Sequence, residues 1–69
     1  MFKIISYVNQ AGIVNAKVYS TSDAWLAEQR IARLGGSIVA VELTNSLEVA
    51  YLVAESMRSL LSKELHNAY

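Results

Sequence analysis

Cysteine is absent from this chain, which removes disulfides, thiolate zinc sites and cysteine nucleophiles in one step. A single histidine, His66, leaves nothing from which a histidine-rich metal centre can be assembled. An excess of charge of either sign is missing too, because six basic and six acidic side chains sum to zero. Phosphate neutralisation supplies much of nucleic-acid affinity, and the cations Lys3, Lys17, Arg30, Arg33, Arg58 and Lys63 are scattered along the chain. Nucleic acid is therefore an unlikely partner on composition. The longest uninterrupted apolar run covers residues 49–54, far short of the roughly 20 residues that span a bilayer. Met1-Phe2-Lys3 opens straight into a strand-like pattern without the features of a leader. The expectation is a cytoplasmic protein with no membrane association.

What is present is apolar residue in unusual proportion. A chain of 69 residues allows one domain, 1–69, and 54% of it is apolar. A domain of this size buries only about 60% of the surface its unfolded chain exposes, so a single core is marginal. Disulfides, thiolate zinc sites and histidine-rich metal sites are excluded, and a partner chain is the remaining common remedy. A net charge of zero does nothing to oppose self-association.

Periodicity predicts the order strand-strand-helix-strand-helix. Residues 2–8 are rich in β-branched and aromatic types, with Phe2, Ile4 and Val8 on one face and Lys3, Ile5 and Tyr7 on the other. Asn9-Gln10-Ala11-Gly12 is a turn, with Gly12 free to take positive φ. Residues 13–19 return with a period of two. Ser20-Thr21-Ser22-Asp23 is a helix start in which Ser20 and Asp23 have capping-box spacing. The helix is predicted over residues 22–34 with a buried stripe of Ala24, Ala27, Ile31 and Leu34, stopped by Gly35-Gly36. Residues 37–43 form a third strand, Val39, Val41 and Leu43 facing one way and Ile38, Ala40 and Glu42 the other. Both faces are mostly apolar, which predicts a central strand or one covered on two sides. Thr44-Asn45-Ser46 then caps a second helix over residues 46–66. The fold class is α+β: a small ββαβα domain with a three-stranded antiparallel or mixed sheet, two helices, and the longer helix C-terminal.

The second helix carries more apolar residue than one contact face needs. Residues 47–54 include seven apolar side chains, whereas a helix lying on a sheet requires a stripe rather than a circumference. Leu47, Tyr51, Leu52, Ala54, Met57 and Leu61 are the candidate self-association residues, and a second copy of the helix is the simplest occupant. The alternative is a monomer in which this helix is wrapped by the sheet and the first helix.

No catalytic pair or triad can be assembled, so an enzyme is not expected. His66 lies near the end of a helix, where a solvated histidine suits the dipole. Gly35-Gly36-Ser37 runs from helix to strand, the reverse of a phosphate loop. No catalytic residue, cofactor or metal site is assigned. The candidate partner-binding residues are Tyr19, Trp25, Leu26, Arg30 and Arg33, because Trp and Arg are enriched where binding energy concentrates. The sheet face bearing Ile5, Tyr7, Ile13, Lys17 and Tyr19 is expected to lie partly beneath the second helix, which would cover Ile5 and Tyr7.

In outline, a Cys-free chain under 80 residues with three strands and two helices resembles small phage- or plasmid-encoded inhibitors, including anti-CRISPR proteins and antitoxins. The resemblance extends to no specific residue pattern, and no site is carried over from it. It implies a non-catalytic protein-binding module, a homodimer that occupies a surface of a larger partner. The alternatives are a small nucleic-acid-associated regulator whose cations converge in the fold, and a structural subunit of a larger assembly.

Overall fold

Asn9 organises the first turn. Its side-chain Oδ1 accepts hydrogen bonds from the backbone N–H groups of Ala11 and Ile13, each at 2.9 Å, and Gly12 closes the turn at φ +81°. This Asx-type arrangement replaces the hydrogen bonds the backbone cannot make while reversing direction. It joins strand β1 (Phe2–Val8) to strand β2 (Val14–Ser20), and helix α1 (Thr21–Arg33), strand β3 (Ser37–Thr44) and helix α2 (Leu47–Asn67) follow. The computed structural model describes the backbone of residues 1–67 and the side chains of residues 1–63. The side chain of His66 therefore lies outside the described residues.

The ββαβα order is the predicted one, and the sheet is antiparallel throughout with strand order β2-β1-β3. One expectation fails here. β3 is not central: β1 is, and β3 forms an edge. A second correction concerns the alternation within β3. Ser6 pairs with Ala40 but Tyr7 with Ile38, so Val39 is an extra residue at a bulge. Paired residues share a face, so the bulge places Ile38 with Val41 and Leu43, not with Ala40 and Glu42.

The two helices lie on opposite faces of the sheet. α2 covers the face of Ile4, with Ala50 and Ala54 in contact with Ile4 and Ala16 and with Phe2, Val18, Val53 and Met57 around them. The register sets Ala16, Ser6 and Ala40 side by side across the three strands. This row of small residues on the sheet faces two alanines on the helix, which permits close approach of the backbones. α1 covers the face of Ile5 through Ala24, Ala27 and Ile31, with Tyr7 and Tyr19 alongside. Ile5 and Tyr7 thus lie under the first helix, not the second as expected.

The helix ends follow local chemistry. Ser20 is the N-cap of α1, but its hydroxyl bonds the Asp23 carboxylate at 3.0 Å and makes no side-chain bond to a backbone N–H. Ser46 caps α2 by accepting from the Val49 N–H at 3.3 Å. At the end of α1, Gly36 N–H donates to Ile31 C=O and Gly35 N–H to Ala32 C=O, the paired bonds of a Schellman motif. Gly35 has φ +80°. Leu34 is the C-cap and 67% exposed, so it drops out of the predicted buried stripe because the helix has already ended.

Gly36 is required for a different reason. A Cβ there would lie 2.8 Å from Ile31 Cγ2 and 3.2 Å from the Val8 carbonyl oxygen. Gly36→Ala is expected to cost about 1–3 kcal/mol by overpacking. The Ala50→Leu change should cost at least as much, since Ala50 has no exposed surface. Leu52→Ala should stay within about 0.5 kcal/mol. Urea unfolding of the three variants checks the ranking and the orientation of α2.

Candidate functional site

The flanks of α1 define two different surfaces. Successive helical residues are rotated by about 100°, so with Ala24, Ala27 and Ile31 inward, Arg30 and Leu34 fall on one flank and Glu28, Ala32 and Trp25 towards the other. The first flank looks towards β2. There Arg30 and Leu34 join Tyr7, Asn9, Lys17, Tyr19 and Gly36 around a cleft of about 270 Å³, with Ala27 and Ile31 also lining it. The second flank looks towards β3. Glu28 reaches back to β1, its Oε1 lying 2.7 Å from Lys3 Nζ. Such a partly exposed pair stabilises the fold by roughly 0–1 kcal/mol and mainly orients the helix.

The cleft brings together two of the five candidate partner-binding residues, Tyr19 and Arg30. Trp25 stands on the opposite flank, while Leu26 and Arg33 point outward from the sheet on the remaining face of α1. Lys17 and Tyr7, which sequence reasoning placed on the same sheet face as Tyr19, complete the cleft. Asn9 is a neighbour with a structural task, because its Oδ1 already accepts two backbone hydrogen bonds. The Lys17 ammonium and Arg30 guanidinium border an otherwise aromatic and aliphatic cleft, and the two tyrosines offer hydroxyls. A volume slightly below the usual range of small-molecule sites suits a single side chain or a small anion.

The other exposed surface is apolar. Trp25 is 55% exposed and does not plug the helix–sheet seam. On the same side of the sheet, β3 presents Ile38, Val41 and Leu43 to solvent, and Val39 at the bulge is exposed as well. The sequence signal for this surface was the apolar character of both faces of β3. That pattern predicts a central strand or one covered on two sides, and β3 is neither: it is an edge strand whose residues are mostly exposed.

The candidate self-association residues divide. Ala54 is buried beneath the sheet and Met57 packs against the same cluster; Leu61 is half-buried. Leu47 is exposed, as are Tyr51 at 60% and Leu52 at 63%. The outward side of α2 is shallow and mixed, with Leu52 and Leu60 set among Glu55, Ser56, Ser59 and Lys63.

Among the described residues, no three His, Cys, Asp or Glu side chains come together, and no helix is long and apolar enough to cross a membrane. Comparison with protein-family models, curated proteins and solved structures finds no match.

Trp25 is the chain's only tryptophan and so reports this surface directly. Trp25→Ala should change stability by less than about 1 kcal/mol. Ile31→Ala, on the buried stripe of the same helix, should cost about 2–5 kcal/mol. Chemical denaturation measures both, with circular dichroism as the probe so that loss of the fluorophore does not matter.

Proposed function

We propose that this chain is a non-catalytic protein-binding module that works as a homodimer and acts by occupying a surface of a larger partner. The supporting observation is that large apolar side chains stand in solvent on three elements: Trp25 and Leu26 on α1, Ile38, Val39, Val41 and Leu43 on β3, and Tyr51 and Leu52 on α2. Single exposed apolar residues are ordinary, whereas runs of them along whole elements mark contact surfaces. An inhibitor carried by a phage or plasmid is one form such a module takes. The cleft between α1 and β2, on the other flank of α1 from Trp25, adds polarity and shape. A partner's acidic side chain would meet Lys17 and Arg30 there, with Tyr7 and Tyr19 packed around it.

A second reading draws on the same cleft. Lys17, Arg30 and Tyr19 are distant in sequence and line one site, an arrangement compatible with a phosphate and a stacked base. Zero net charge weighs against it.

The two readings separate in one experiment. The immobilised chain is exposed to extract of its native host, beside a Tyr19→Ala/Arg30→Ala double variant. Stoichiometric retention of one protein by the wild type, weakened tenfold or more in the variant, supports the module. Retention of nucleic acid that falls steeply with salt, and is lost in the same variant, replaces it with the second reading.

A further inference from the structure

We propose that the outer edge of β3 is a self-pairing surface, at which two copies of this chain join antiparallel into one six-stranded sheet. This deepens the homodimer part of the preceding reading and gives it a different location from the second helix.

β3 hydrogen-bonds β1 on one side, and among the described residues no strand pairs with its other side. Its outward N–H and C=O groups form a template for another strand. Edge strands in monomeric proteins are normally blunted by lysine, proline or inward-pointing charge. β3 contains no lysine and no proline over eight residues, and Glu42 is its one ionisable side chain. The other edge, β2, carries Asn15 and Lys17 among its seven residues. The bulge at Val39 interrupts one end of β3 and leaves residues 40–44 regular.

The shape fits the same occupant. The molecule measures 36 × 26 × 11 Å between Cα extremes. Three strands at about 4.8 Å spacing span roughly 10 Å, so the thin direction runs across the strands and the edges lie on the two broad sides. A side of 36 × 26 Å is large enough for the roughly 800 Å² per partner that a stable interface covers. The accessible surface of 4850 Å² also exceeds the roughly 4300 Å² usual for a compact monomer of 7.6 kDa. A net charge of zero presents no repulsion between copies.

Self-complementarity disfavours one register and allows another that keeps the apolar residues together. A two-fold axis normal to the sheet pairs residues of one face only, so it passes beside a single residue of β3. Centred on Glu42, it would set two carboxylates opposite one another, which is destabilising. Centred on Val41, it sets Val41 against its own copy and Glu42 against Ala40. Val41 and Leu43 of both copies then form a continuous apolar strip on the α1 side of the joined sheet.

The test uses the intact chain and its lack of cysteine. Native mass spectrometry over a hundredfold dilution should find a dimer, and Val41→Lys should give a monomer with an unchanged circular dichroism spectrum. Should that variant unfold, Val41→Cys keeps the question open to a decision. Its paired Cβ atoms would lie about 4.5–5.5 Å apart, and a short bismaleimide should cross-link most of the protein. Leu52→Cys, on the outer side of α2, should cross-link little. A wild type that is monomeric throughout, or efficient cross-linking through Leu52→Cys and not through Val41→Cys, overturns the proposal. Loss of partner capture with the dimer intact would count against the partner-binding reading alone. A monomer that still captures its partner would count against the β3 pairing alone.

Discussion

Two neighbouring isoleucines on β1 hold the domain together. Ile4 points into the cluster beneath α2 and Ile5 into the cluster beneath α1, and both are essentially without exposed surface. Alternation along a strand sends consecutive side chains to opposite faces, so one dipeptide anchors both layers. β1 can serve this way only because it is central, paired with β2 on one side and β3 on the other. Both helices depend on it, and neither touches the other's cluster.

From that constraint follows the uneven covering of the sheet. The α2 cluster is built from β1 and β2, with Ala16 and Val18 contributing from β2. The α1 cluster adds Tyr19 of β2 to Ile5 and Tyr7. Neither cluster contains a β3 residue, and Ile38, Val39, Val41 and Leu43 remain exposed. The apolar excess of the sequence is thus divided between small residues at the helix–sheet contacts and an apolar edge strand left exposed. β3 carries neither lysine nor proline, the residues that usually protect such an edge.

Much of the architecture was legible in particular residues. The alternation of Val14, Ala16 and Val18, the Ser20–Asp23 helix start and the Gly35-Gly36 stop all fall where the elements begin and end. The capping box illustrates the limit of such reading: Ser20 and Asp23 interact, but with each other's side chains rather than with the helix backbone. The candidate partner residues fared similarly. Tyr19 and Arg30 meet in one cleft, while Trp25 is not among its lining residues and lies on the far flank of the same helix.

The sequence by itself determined the element order, the turns and three residues of the buried stripe on α1, Ala24, Ala27 and Ile31, because these depend on interactions a few residues apart. Strand order, the choice of helix for each face and the exposure of β3 were decided only in the tertiary structure. An apolar strand has the same local pattern whether it is central or at an edge, and the difference lies in which helices have surface left to cover it. The Val39 bulge belongs with these, since an extra residue is defined only against the partner strand that lacks it. The exposed apolar edge is therefore among the features that local patterning placed wrongly.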